Sequence, residues 1–311
     1  MNRSLALLTL AVILLVASPL AQAETIFALA TDNSLLSFDS GSPGKTTRIG
    51  TISGLIPGES VVGIDFRPAT GQLYSLSLAP VGPTFFGRLS IIDPVTAAAT
   101  PLGGRLDPGV VTGNAYGINF DPVADVLRVV SDAGRNLRVS PVTGQVLNVD
   151  AALAYAPGDS HFGVNPKVVG IAYTNSFVGA TATRLFGVDS SLDNLVAQDP
   201  PDGGLLHTVG PLGFNTSATA GLDISGATGV AYAALNADIG VFLSGLYTID
   251  LSNGSAKLVG TIGSGGPLIR GIAVAAAAPV PEPASWALVV AAMLGFLVCA
   301  RGRNYIAWAR G

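Results

Sequence analysis

The sequence predicts an all-β fold made of five copies of one four-stranded unit closed into a ring. Three observations lead there: a strand-and-turn composition, a segment that recurs roughly every fifty residues, and two ends that are complementary fragments of the repeat. Of 311 residues 39 are glycine and only 12% are charged. The runs of Glu, Lys, Gln and Leu that make surface helices are missing, which favours strands and turns.

The recurring segment opens on glycine, at Gly63-Ile64-Asp65-Phe66, Gly117-Ile118-Asn119-Phe120, Gly170-Ile171-Ala172-Tyr173, Gly221-Leu222-Asp223-Ile224 and Gly271-Ile272-Ala273-Val274. A turn follows, as at Arg67–Gly71 or Asp121–Asp125, and then a second apolar strand at Leu73–Leu76, Leu127–Val130 or Val230–Ala233. A third strand often ends in Asp: Arg88–Asp93, Arg184–Asp189 and Gly245–Asp250, with Asn136–Val139 ending instead in Ser140. A last strand runs into Leu102-Gly103, Val209-Gly210 or Val259-Gly260. Four short strands per unit is the anatomy of a β-propeller blade. The glycines suit strands that converge on an axis, where only a minimal side chain allows close backbone approach. Asp93, Asp189 and Asp250 suit Asx-turns, in which the carboxylate accepts from the amide two residues on.

The ends set the count. Ile26–Leu29, Leu35–Phe38 and Thr47–Gly50 match the second, third and fourth strands of a unit that lacks its first. Gly271–Val274 is a first strand with nothing after it but prolines. Pairing the two completes one blade and removes the edges that an open stack would expose. With Thr31-Asp32-Asn33 and Leu35, the stretches Gly63–Tyr74, Leu127–Asp132, Asn136–Arg138 and Ala172–Asn175 resemble domain of unknown function 4394 over nearly all of Thr25–Val274. That resemblance implies exported bacterial proteins and no defined activity.

Both termini read as targeting segments. Arg3 precedes an apolar run, Leu5–Val16, and Ala21 and Ala23 stand at the small-residue positions of a signal-peptidase site before Glu24. Residues 1–23 are therefore expected to be a signal peptide, and 24–278 the repeat domain. In the tail, 279–311, three prolines at Pro279, Pro281 and Pro283 stop the last strand. Ala284–Ala300 carries no charge and as a helix would reach roughly 25 Å, the short end of a membrane span. Arg301 and Arg303 follow on the side that retains positive charge. Pro281-Glu282-Pro283, an apolar helix and an arginine cluster together resemble a PEP-CTERM sorting signal, although here Asn304–Gly311 continues past the cluster. The resemblance implies a Gram-negative bacterium, an exosortase-like membrane enzyme as partner, and delivery to the cell surface or a biofilm matrix.

Candidate chemistry is sparse. The net charge is −4 without a basic stripe, which argues against nucleic acid as a partner. The single cysteine, Cys299, lies in the expected membrane helix, so the domain has no disulfide, thiolate metal site or cysteine nucleophile. The third residue of each recurring segment offers the sharpest candidates. Asp65, Asn119 and Asp223 could place three oxygen-bearing side chains in a central channel, where they would hold a hard cation such as calcium or ordered water. Equally, each could hydrogen-bond a neighbouring blade.

A glycan hydrolase needs paired carboxylates, one with a raised pKa. Glu59 is the sole glutamate available for that role, and Pro57-Gly58-Glu59-Ser60 reads as a solvated loop. Asp121 with Asp125, and Asp199 with Asp202, read as turns. His161 lies in a long insertion between Asp150 and Val168, which suits a binding loop, and His207 reads as surface. No Gly-x-Ser-x-Gly elbow or phosphate loop exists. The expected function is a non-enzymatic surface or matrix module binding polysaccharide. The alternative is a secreted glycan hydrolase or lyase working at the channel mouth.

Overall fold

A computed structural model describes residues 23–107, 109–237 and 243–276. The expected signal peptide up to residue 22 with Ala21, the sorting motif Pro281-Glu282-Pro283, the span 284–300 and the cluster Arg301 and Arg303 lie outside the described residues. Ala23 is exposed just ahead of the first strand. Among the described residues no helix is long and apolar enough to cross a membrane.

The fold is a five-bladed β-propeller. Blade 1 holds β1 (Thr25–Ala30), β2 (Ser34–Asp39) and β3 (Thr47–Thr51). Blade 2 runs β4 (Ser60–Arg67), β5 (Gln72–Val81), β6 (Thr84–Ile92) and β7 (Ala99–Leu106). Blade 3 runs β8 (Tyr116–Asp121), β9 (Val126–Ser131), β10 (Asn136–Val139) and β11 (Val146–Val149). The short β12 (Ala154–Tyr155) precedes blade 4, which is β13 (Val168–Tyr173), β14 (Leu185–Asp189), β15 (Asn194–Gln198) and β16 (Leu205–Pro211). Blade 5 is β17 (Thr216–Ile224), β18 (Ala231–Ala237), β19 (Ser244–Ile249) and β20 (Ala256–Thr261). The last strand, β21 (Ile269–Val274), returns to blade 1 as its inner strand, giving the order β21-β1-β2-β3. Ile26 pairs with Val274, Phe27 with Ala273, Ala28 with Ile272 and Leu29 with Gly271. Inner strands touch in sequence around the axis, and β21 touches β4 to complete the circle.

The core follows from this radial layout. Inner strands are buried on both faces, as in β13, whereas outer strands such as β11 and β20 are largely exposed. Hydrophobic clusters fill the wedges between adjacent blades. Leu76, Leu89, Phe120 and Leu137 lie between blades 2 and 3; Phe186, Val188, Leu222 and Leu235 lie between blades 4 and 5. The segment glycines let the blades converge. A Cβ on Gly221 would sit 2.7 Å from the Gly271 Cα, and one on Gly117 would sit 2.9 Å from the Ile171 amide nitrogen.

One strand assignment is corrected. Arg184–Asp189 was expected as a third strand but forms the second strand of blade 4, paired with both β13 and β15. Asp189 does end in the expected Asx-turn, accepting from the Ser191 amide at 2.8 Å, as Asp93 does from Val95 and Asp250 from Ser252. The same turn chemistry thus closes two different hairpins, so its Asp does not by itself number the strand.

The two faces differ. On one, most strands are joined by short turns, among them Arg67–Gln72 and Asp121–Val126, where Asp121 accepts from the Val123 amide at 2.9 Å, with the longer connection 174–184 in blade 4 as an exception. The other face, where the inner strands begin, carries the blade-to-blade connections, including 107–115 and the insertion 150–167. β12, inside that insertion, adds in parallel to the edge of β16. There His161 Nδ1 lies 2.9 Å from Thr208 Oγ1, and Asp159 accepts from the Thr208 amide at 2.7 Å. These bonds tie the insertion to blade 4.

Candidate functional site

The third residues of the inner strands do converge, on a buried layer across the axis. Asp65, Asn119 and Asp223 are 2%, 1% and 3% exposed. Glycine and third residue share one face of a strand, because side chains alternate. That face looks toward the next blade, so the third side chain reaches the neighbour's backbone. Asp65 Oδ2 accepts from the Phe120 amide at 2.6 Å, Asn119 Oδ1 from Tyr173 at 2.8 Å, and Asp223 Oδ2 from Val274 at 2.6 Å. Asp223 Oδ1 also accepts from its neighbour Ile224 at 2.8 Å and from Asn119 Nδ2 at 3.2 Å. These are charge-assisted or buried bonds between strands far apart in sequence. Ala172 and Ala273 occupy the corresponding positions of blades 4 and 1 and carry no polar atom.

Burial pushes both carboxyls upward. Asp223 is raised to about 7, its amide donors opposing the rise. Asp65 is pushed well above the usual carboxylate range by burial and by the Asp223 charge. Two acids in one buried layer oppose each other's ionisation, which pushes both in the same upward direction. Among the described residues no group of three or more His, Cys, Asp or Glu is arranged to hold a metal. At the level of the glycines the axis is nearly shut: the space between Gly63, Gly117, Gly170, Gly221 and Gly271 is about 10 Å³, room for at most one water.

Glu59 corrects the expectation of a solvated loop. Its residue is 6% exposed, and its carboxylate accepts from the Ile56 amide at 2.7 Å, from Ser77 Oγ, and from Arg88 Nη1 at 2.5 Å. The loop is solvated only at its rim; the acid turns inward to meet β5 and β6. His207 is exposed as expected. A second buried network escaped sequence reasoning altogether. Arg128, 3% exposed, donates to Tyr173 Oη at 2.7 Å, to Asn136 Oδ1 at 2.6 Å and to Asp150 Oδ2 at 3.1 Å, bridging blades 3 and 4.

The open feature of the axis is its mouth, on the face of the long connections. A cavity of about 240 Å³ lies there, walled by Val62, Asn114–Tyr116, Ala218–Ala220 and Arg270. Arg270 stands immediately before the last segment glycine, where the other blades have Val62, Tyr116, Val169 and Ala220. Lining up the repeats by glycine could have singled it out. Its strand pairing skips it: Ile269 pairs with Ala30 and Gly271 with Leu29, so Arg270 is a bulge residue. Bulges re-aim side chains. The guanidinium donates to Ser60 Oγ at 3.1 Å, Val61 O at 3.2 Å and Thr31 O at 3.2 Å.

No curated protein matches the chain. Among solved structures, a chain of a nidogen/laminin complex is similar at 14% identity and TM-score 0.42, covering 81% of this chain and 98% of that one. A Myxococcus xanthus glutaminyl cyclase is similar at 10% identity and TM-score 0.38, covering 68% and 89%. An auxiliary nutrient binding protein from Bacteroides ovatus ATCC 8483 is similar at 13% identity and TM-score 0.40, covering 66% and 52%. At such values these likenesses carry no functional argument. A family model does match, over residues 34–273, and the chain belongs to that family, Domain of unknown function (DUF4394).

Proposed function

We propose that this is an exported surface or matrix protein whose propeller is a non-enzymatic binding module for extracellular polysaccharide. In this reading signal peptidase removes residues 1–23, and an exosortase-like enzyme receives the PEP-CTERM-like tail. One observation supports a binding module most: the blade-to-blade connections and the axial cavity share one face, while most strands on the opposite face are joined by short turns. Loops gathered on a rigid scaffold are the usual seat of recognition. We read the Asp65, Asn119 and Asp223 layer as a set of blade clips rather than a calcium site, because their oxygens already accept backbone amides.

The test is retention of the purified full-length protein on extracellular polysaccharide, together with the mass of the protein recovered from cells. Retention, with an N-terminus at Glu24, supports the proposal. A protein that is retained by no polysaccharide, or that keeps Met1, contradicts it. A hydrolase reading draws on the two raised carboxyls. It predicts release of reducing sugar that Asp223→Asn abolishes, and the binding-module reading predicts no release from either protein.

A further inference from the structure

The axial mouth has a chemistry that the buried layer lacks. Arg270 is the one charged side chain among the described residues of the cavity wall, and it makes no ion pair among the described residues. Its three partners are neutral oxygens, two of them backbone carbonyls. They fix the guanidinium without neutralising it. Burial lowers its pKa, and only the more distant Asp32 opposes that. A partly buried cation with no carboxylate at salt-bridge distance attracts an anion.

The rest of the wall suits a sugar. Tyr116 Oη donates to Gly113 O at 3.0 Å, which leaves the phenol oxygen able to accept from a ligand hydroxyl. Thr219 and Asn114 line the same cavity, as do the mostly buried Val62 and Ala220. A volume of about 240 Å³ is below the usual range for drug-sized ligands and fits one ring rather than an extended chain. With a single arginine on the wall, the charge matches a monoanion such as a carboxylate better than a phosphate dianion.

We propose that the axial mouth binds the carboxylate of a uronic acid unit, with Arg270 taking the carboxylate and Tyr116, Thr219 and Asn114 taking ring hydroxyls. This deepens the polysaccharide-binding proposal by naming the class of sugar. Its site, however, can be tested apart from the polymer.

The experiment titrates the purified full-length protein with D-galacturonate and with neutral D-galactose, following heat by calorimetry and melting temperature in parallel. Galacturonate is expected to bind and galactose to bind at least tenfold more weakly. Arg270→Gln is expected to weaken galacturonate at least tenfold. Because Arg270 also ties β21 to β4, a second variant guards against misfolding. Ala218 is exposed on the cavity wall, so Ala218→Trp fills the mouth with the core left intact. That variant should keep the wild-type melting temperature and lose galacturonate. Equal binding of the two sugars, unchanged galacturonate binding in Ala218→Trp, or no galacturonate binding by the wild type each overturns the site. Polysaccharide retained equally by wild type and Ala218→Trp removes the site and leaves the binding module standing. Galacturonate bound with no polymer retained does the reverse.

Discussion

Two layers of the same inner strands put polar groups near the axis, and they treat them in opposite ways. Below the glycines, Asp65, Asn119 and Asp223 are sealed and satisfied by one another and by the amides of the next blade. Above them, Arg270 is held by neutral oxygens and faces a cavity. Buried polar groups with complete partners define a unique packing, whereas a charge left without a counter-charge beside open volume is available to a ligand. Perturbed protonation alone therefore does not mark the proposed ligand layer here. The more strongly shifted groups are the better partnered ones.

The largest expected effect separates the layers by breaking the one between them. Gly221→Val drives a side chain into the backbone of Gly271 and Ile272, which cannot withdraw without parting blades 5 and 1. It should cost about 3 kcal/mol or more, and urea denaturation would show either that loss or an unfolded protein. Next, Glu59→Ala leaves Arg88 facing a hole where its partner stood, the Glu59 side chain being 0% exposed. A loss of about 3 kcal/mol is expected for stranding one partner of a buried pair, with the same assay as the check.

A smaller effect follows from pH. Asp65 and Asp223 titrate higher in the fold than in the unfolded chain. For Asp223 the unfolded state has released, between about pH 4 and pH 7, a proton that the native state still holds, so stability should fall as pH rises through that window, and the raised Asp65 acts in the same direction. Asp150 behaves oppositely. Burial pushes its pKa up, but hydrogen bonds from Arg138 and Asn148 and the Arg128 charge prevail and hold it low. Its contribution is present above the unfolded pKa of about 4 and is lost as pH falls below it. Asp223→Asn removes the titration but keeps only one of the two oxygens that accept from Val274 and Ile224, so it lowers stability at every pH while flattening the pH dependence. It should reduce the loss between pH 4 and 7 by at least ~1 kcal/mol, one pKa unit being worth ~1.4 kcal/mol. Urea midpoints across that range would measure it. The smallest effect on the fold belongs to the mouth: Ala218→Trp should change stability by under ~0.5 kcal/mol.

Much of the fold could be read directly from residues, because the repeat carries it. Gly63 and its counterparts, the Asp65 position two residues on, and the complementary ends at Ile26 and Gly271 each reflect a local steric or pairing demand. What could not be read depended on partners distant in sequence. Glu59 looked like loop because Arg88 and Ser77, which draw it inward, lie in other strands. Arg184–Asp189 is the second strand and not the third because an irregular first connection, 174–184, separates it from β13, and an Asp-turn closes either hairpin. Arg128 gave no signal, since its partners Tyr173 and Asp150 meet only when blade 4 docks on blade 3. Arg270 was visible in the repeat, but its meaning rests on a bulge that no spacing reveals.

The acidic layer serves either the blades or a ligand. Melting the wild type and an Asp65→Asn, Asp223→Asn double variant at pH 7, with and without millimolar calcium chloride, decides which. Structural clips predict a double variant less stable than the wild type, because asparagine at 223 gives up one of two amide acceptors, and no calcium-dependent shift in either protein. A wild-type melting temperature that rises with calcium, with the rise abolished in the double variant, would contradict the account and make the layer a cation site.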